Sequence, residues 1–406
     1  MIRRVAFLSL HTSPLIQPGS GDAGGMNVYI DELARTLIER GVDVDVFTRA
    51  TDPWQPVAVE VVPGYRVVHV PAGPGRALSM KDLPATVQPF ADGVVERMHG
   101  EAFDIVHSHY WLSGWAGLVV KRATGVPLAN SFHTLGRVKD ATRRVGEPAE
   151  SLVRIAAEHE VIAGSDCVIA STPFEAEDLA RRYQADPARL CVTPPGVNHD
   201  LFAPGPRFTA RRTLGWDDRP VVLFVGRIQP LKGLDVAMEA YVRILRELPE
   251  ARLVVVGGPS GAQGEEELAR IRARALALDL ERTVAFVPSR PHAEIADYYR
   301  AADVLLVPSR SESFGLVAAE AQASGLPVVA ARIGGLAYTV DDGTSGFLVD
   351  GWDADGFAAA ATRIMLDAEL AARLARGAVE FATRFSWKVA ADRMLELYGG
   401  ISGATA

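Results

Sequence analysis

Cysteine is almost missing from this chain: Cys167 and Cys191 are the only two thiols in 406 residues. A disulfide framework is thereby excluded, and the count fits a reduced cytoplasm with both thiols as ordinary buried side chains. Neither Cys-x-x-Cys nor His-Glu-x-x-His occurs, so the common zinc spacings are absent as well. Long apolar runs are also lacking. The run from Val5 to Leu10 follows two arginines but stops at His11, too short for a secretory segment, and nothing approaches the roughly eighteen residues of a spanning helix. No basic excess exists either: 42 Lys and Arg stand against 50 Asp and Glu, a net charge of −8. Nucleic acid and anionic lipid are therefore poor bulk partners.

What remains is the composition of a packed enzyme, 48% hydrophobic and 23% charged, in a chain long enough for two or three domains. Val5 to Leu10 reads as a buried strand. From Met26, apolar residues recur at 26, 29, 30, 33, 34, 37 and 38, a helical period stopped by Gly41, and Val42 to Thr48 reads as the next strand. This βαβ unit implies a parallel sheet. Further strands follow at Ile105–His109, Pro127–Ser131 and Asp166–Ser171, and the pattern breaks at Phe202-Ala-Pro-Gly-Pro206. A second alternation starts at Val221–Val225 and continues at Leu253–Val256, Thr283–Phe286, Val304–Val307 and Val328–Ala330. The expected fold is α/β: two Rossmann-like parallel-sheet domains facing a central cleft, with ligands outside the carboxyl ends of the strands.

Chemistry-bearing residues gather after predicted strands. Gly19-x-Gly21-x-x-Gly24 has dinucleotide-fingerprint spacing, but eight residues separate it from the strand, so a nicotinamide site is the weaker reading. The stronger one has Gly24 and Gly25 opening a helix onto an anion. Arg227 and Lys232, five residues apart after a strand, can clamp a diphosphate. Glu312 and Glu320 follow another strand. On one helix they would stand about 12 Å apart, too far for a glycosidase pair, and are expected at the two ends of a short helix whose N–H groups at Gly315 and Leu316 face a phosphate. His107 and His109 read as structural histidines, whereas His133 sits at a strand end facing the cleft.

Together these motifs closely resemble the retaining glycosyltransferases of family 4, which have the GT-B fold. Glu312 to Glu320 matches that family's E-x7-E signature, and Arg227 with Lys232 its Arg/Lys pair. Gly21-Asp-Ala-Gly-Gly-Met-Asn27, His107-Ser-His-Tyr-Trp-Leu-Ser-Gly114 and Phe385-Ser-Trp387 look like the subgroup that glycosylates D-inositol 3-phosphate in mycothiol biosynthesis. The resemblance implies domains at 1–200 and 201–387, with a final helix over 388–406 returning to the first. It implies a UDP-sugar donor, most simply UDP-N-acetylglucosamine, held by Asp22, Gly25, Asn27, Arg227, Lys232, Arg290, Glu312, Phe314, Gly315, Leu316 and Glu320. His133, Arg227, Lys232 and Glu312 would serve catalysis by front-face attack, which needs no protein nucleophile. No cofactor is required, and the subgroup's magnesium, at Tyr299, Arg300 and Ala302, would be non-catalytic.

The acceptor would meet His11, Lys81, Tyr110, Thr134, Arg137 and Arg154. Here the chain departs from the subgroup. Met80 stands in the register of its phosphate-binding lysine, with Lys81 next to it, and Arg137 replaces a small residue. A paralogue acting on a sugar phosphate or a natural-product intermediate therefore stays open, as do a nicotinamide oxidoreductase, a silent nucleotide-sugar sensor and pairing into a homodimer.

Overall fold

The computed structural model describes residues 1–403 apart from Ser20, Val145 and Ala262. Its first sheet has eight strands: β1 (Arg4–Leu8), β2 (Asp43–Arg49), β3 (Ala58–Val62), β4 (Tyr65–Val70), β5 (Ile105–His109), β6 (Leu128–Ser131), β7 (Cys167–Ala170) and β8 (Leu190–Val192). Their order is β3-β4-β2-β1-β5-β6-β7-β8, parallel except for the β3–β4 hairpin at the edge. The second sheet contains β9 (Val221–Val225), β10 (Arg252–Val256), β11 (Val284–Val287), β12 (Val304–Val307), β13 (Val328–Ala331) and β14 (Gly346–Val349), in the parallel order β11-β10-β9-β12-β13-β14.

Both sheets are covered on both faces, so their central strands are apolar throughout rather than alternating. Val5, Ala6, Phe7 and Leu8 of β1 are all buried, as are Val304 to Val307 of β12. Each large side chain so buried contributes about 1.5–3 kcal/mol. One apolar cluster fills the second domain, and two flank the first sheet. One of these two takes in Trp387, Ala390, Ala391, Met394 and Tyr398 of the Trp387–Ser402 helix, so the end of the described chain packs on the first domain. The last three residues of the expected 388–406 helix lie outside the described residues.

Strand order reverses direction between β1 and β5 in the first sheet and between β9 and β12 in the second. At such switch points neighbouring crossovers diverge and leave a crevice. The loops after β1, β5, β9 and β12 are those carrying His11, Tyr110, Arg227 and Glu312.

Two readings need correction. Glu312 and Glu320 are not the two ends of one helix: the helix spans Leu316–Ala323, and Gly315, at φ 96° in the left-handed region, separates it from the loop holding Glu312. The two cysteines are not independent buried side chains, because parallel pairing of β7 with β8 brings their Sγ atoms within 2.9 Å. No helix among the described residues is long and apolar enough to cross a membrane.

Candidate active site

A cavity of about 890 Å³ lies between the carboxyl ends of the two sheets. Drug-sized and cofactor pockets span about 300–1,000 Å³, so this one has room for an extended ligand with a second small molecule beside it. The predicted residues His11, Asp22, Gly25, Lys81, Tyr110, His133, Thr134, Arg154, Arg227, Lys232, Arg290, Glu312, Phe314, Gly315, Leu316 and Glu320 all line it, as does Met80.

The second domain supplies a cationic end. Arg227, half-buried after β9, directs Nη1 to the carbonyl of Asp22 at 3.2 Å and to Ser260 Oγ at 3.5 Å. A Cβ on Gly24 would stand 2.9 Å from Arg227 Nε, so any larger residue there makes the guanidinium or the loop shift. Lys232, in the Pro230–Lys232 turn, places Nζ 2.5 Å from Glu312 Oε1, which also accepts from Ser309 Oγ. Facing them, the Leu316–Ala323 helix presents its first turn, in which the N–H groups of Ala318 and Ala319 bond the Gly315 carbonyl and those of Leu316 and Val317 have no acceptor within the helix. Two cations and a positive helix end therefore converge on one region of the cleft.

Glu320, nearly buried on the same helix, has both oxygens held: Oε1 by His292 Nε2 at 2.7 Å and Oε2 by the Tyr299 hydroxyl at 3.1 Å. Burial opposes a charge on His292, but the Glu320 carboxylate prevails and raises its pKa. A carboxylate fixed in this way is a ready acceptor for hydroxyl groups.

The first domain supplies a different pole. Arg154 is buried on the Leu152–Gly164 helix; Nε meets Glu158 at 2.7 Å, Nη1 Glu150 at 3.2 Å, and Nη2 the carbonyl and hydroxyl of Thr134. Its guanidinium carbon lies 5.1 Å from the centre of the Tyr110 ring, and Tyr110 stacks obliquely on His11. Tyr110 itself is held at φ 77°, a strained conformation for a bulky residue. Glu150 also pairs with Lys139, so one carboxylate ties down two cations at the cleft wall. Sequence reasoning missed Lys139, Glu150 and His292: nothing in their spacing announces that a loop folds back between two helices.

His11 and His133 line the cleft, and His107 and His109 are buried behind them. Burial lowers the pKa of His107 and His133 to about 3 and that of His109 well below the ordinary value; for His11, burial and then Arg227 lower it to about 3. All four are neutral near pH 7. His133 is also pinned across the cleft, its carbonyl accepting from Ser313 Oγ at 2.7 Å, while the Ser313 carbonyl accepts from Thr172 Oγ1 at 3.1 Å.

Two predicted residues stand outside the cavity lining. Asn27 is buried, accepting from Gly24 N and donating to Thr12 Oγ1 and the Ser13 carbonyl, so it shapes the glycine loop from behind. Arg137 is exposed, its guanidinium carbon 5.6 Å from the centre of the buried Tyr183 ring. Among the described residues no three His, Cys, Asp or Glu side chains cluster as metal ligands. The side chains of Tyr299, Arg300 and Ala302, a phenol committed to Glu320, a guanidinium and a methyl group, supply no magnesium ligand, so an ion there would rest on main-chain carbonyls at the end of the His292–Ala301 helix.

Comparison with known proteins gives the family and the fold. Residues 206–381 match the family described as Glycosyl transferases group 1, and residues 24–196 match the Glycosyl transferase 4-like domain. The chain is 48% identical over 404 residues to D-inositol 3-phosphate glycosyltransferase 2 of Catenulispora acidiphila, covering 98% of this chain and 94% of that one. Sucrose-phosphate synthase from Thermosynechococcus elongatus superposes with a TM-score of 0.92 at 33% identity, covering 99% of this chain and all of that one. Anabaena HepE, solved with UDP and glucose, shares the fold at a TM-score of 0.80 and 20% identity over 98% of this chain and all of that one.

Proposed function

This chain belongs to the group 1 glycosyl transferases, and from that premise we propose that it moves N-acetylglucosamine from UDP-N-acetylglucosamine to D-inositol 3-phosphate with retention at the anomeric carbon. One observation carries the reading: Arg227, Lys232 and the N-terminal turn of the Leu316–Ala323 helix converge on one region of a cleft whose opposite wall holds Arg154, Tyr110 and Thr134.

In this reading the diphosphate lies against Arg227, Lys232 and the N–H groups at Gly315 and Leu316, where preorganised donors stabilise the charge that develops on leaving. Glu320 accepts the ribose hydroxyls, and Arg290 borders the base. Glu312 binds sugar hydroxyls through the carboxylate that Lys232 holds, and Phe314 packs behind them. The bond from C1 to the diphosphate oxygen breaks, and the acceptor oxygen bonds to C1 on the same face. Its proton passes to the departing phosphate oxygen, so no protein base is needed. Gly25 and Asp22 close the glycine loop over the donor. The acceptor lies among His11, Lys81, Tyr110, Thr134 and Arg154.

A second reading, a sugar-phosphate acceptor, is favoured by Met80 and by the likeness to a sucrose-phosphate synthase. Nucleotide release from a panel of UDP- and GDP-sugars, with D-inositol 3-phosphate or a hexose phosphate as acceptor and mass spectrometry of the products, separates the two. Release from UDP-N-acetylglucosamine that requires inositol phosphate is expected; transfer only to the hexose phosphate would replace the first reading by the second.

A further inference from the structure

Behind the cleft floor, His109 is fully buried at the end of β5 and has one hydrogen-bond partner, His133: Nδ1 of His109 lies 3.1 Å from Nε2 of His133, and the rings stack at 28°. The other nitrogen of His109, Nε2, is buried without a partner. The His109 ring is surrounded, centre to centre, by the Phe7 ring at 5.0 Å, the Tyr29 ring at 5.7 Å and the His107 ring at 4.2 Å. His107 is already committed on both sides, to the Tyr398 hydroxyl and to Ser131 Oγ.

Both rings of the His109–His133 pair are neutral, so each carries one proton and only two arrangements make the bond. In the first, His109 holds its proton on Nδ1 and donates it to His133 Nε2; the orphan atom is then a lone pair. In the second, His133 donates from Nε2, and His109 must carry its proton on Nε2, leaving a buried N–H with no acceptor. Buried donors are left orphaned more rarely than acceptors, so the first arrangement is favoured. It forces the proton of His133 onto Nδ1, which makes no hydrogen bond to any described residue. His133 lines the cleft, and its backbone, at φ 60°, is held by Ser313.

We propose that His109 is a positioning residue that fixes His133 as the Nδ1–H tautomer, so that His133 presents a hydrogen-bond donor, not an acceptor, to the sugar end of the cleft. The role rests on the glycosyl-transfer reading above only for the identity of what His133 meets; the tautomer itself does not depend on it.

Histidine-15N labelling and long-range proton–nitrogen correlation spectra of the whole chain test the assignment, with the His133 signals identified from their loss in His133→Asn. The wild type is expected to show His133 protonated on Nδ1; a pattern with the proton on Nε2 overturns the proposal. His109→Asn, whose amide N–H can replace the Nδ1 donor, should keep the tautomer and hold kcat within about threefold. His109→Asp offers only acceptor oxygens, and it should flip His133 and lower kcat by about tenfold or more with donor KM changed less. Equal kcat in the Asn and Asp variants would also overturn it. Absence of transfer to any acceptor, with the Nδ1–H signature present, sinks the reaction reading and leaves the tautomer assignment standing.

Discussion

Arg227 Nη1 lies 3.2 Å from the carbonyl oxygen of Asp22, so the cation of the second domain and the glycine loop of the first already touch across the cleft. The contact depends on Gly24, because a Cβ there would press on Arg227 Nε at 2.9 Å. Gly24→Ala should displace the guanidinium or the loop by a fraction of an ångström. Misplacement by about 1 Å can cost about a hundredfold, so this smaller shift should lower kcat/KM for the donor by about tenfold with the thermal transition nearly unchanged. Steady-state nucleotide release beside a melting curve checks both halves; wild-type kinetics would remove this loop from the donor site.

Lys232 and Glu312 are partners before any ligand arrives. Lys232→Ala removes a phosphate contact of about 1.5–3 kcal/mol and leaves the carboxylate without its cation, beside the incoming diphosphate. Donor affinity should drop more than tenfold, and part of the loss should return in the double variant Lys232→Ala/Glu312→Gln, where the repelling charge is gone. Isothermal titration with UDP alone reads this coupling. Additive losses would mean that Glu312 does not act on the phosphate region.

How much of this was legible in the sequence follows from the length and continuity of each signal. β5, β9 and β12 begin and end where the sequence places them; for β9 and β12 an unbroken apolar run bounded by polar or glycine residues has few other places to go. β3, β4, β8 and β14 were not read: β3 is a half-exposed edge strand, the apolar run of β4 is broken by Arg66 and His69, and β8 and β14 are only three and four residues long. The strand-end cations and glutamates were legible because Rossmann-like topology sends such loops to one cleft. The Lys139–Glu150–Arg154 cluster and the His109–His133 pair were not, since partners come from separate helices or strands and their meeting is a tertiary fact. The helix was misplaced because Gly315 caps its start, so that it begins only at Leu316 and runs past Glu320 to Ala323.

Glu175 should give the protein a measurable pH dependence of stability. It is buried at the start of the Pro173–Tyr183 helix, and burial, against hydrogen bonds from Ser171 and Ser313, pushes its pKa up from 4.5 to about 7. The folded state then binds the proton more tightly than the unfolded state, so stability falls as pH rises from about 4.5 to 7, by at most about 3 kcal/mol. Glu175→Gln lacks this titration. Its melting temperature relative to wild type should therefore rise between pH 5 and pH 8; a constant difference across that range would mean that the carboxyl is not perturbed.

Whether the acceptor carries a phosphate comes down to Glu150, whose carboxylate now occupies Arg154 and Lys139. A phosphate binding at Arg154 must compete with that carboxylate or share its cations, and Met80 supplies no charge of its own. Glu150→Ala should then lower KM for a phosphorylated acceptor several-fold, while the apparent affinity for UDP stays constant, because the nucleotide binds the other wall. Lys81 is exposed at the cleft edge beside Met80. If it replaces the subgroup's lysine, Lys81→Ala should raise acceptor KM by about tenfold, and Met80→Lys should offset that loss. KM values for D-inositol 3-phosphate and for unphosphorylated inositol, measured on all three variants, separate charge recognition from shape. Variants that shift both acceptors equally would place the phosphate elsewhere and leave Glu150 as a brace for the loop that carries it.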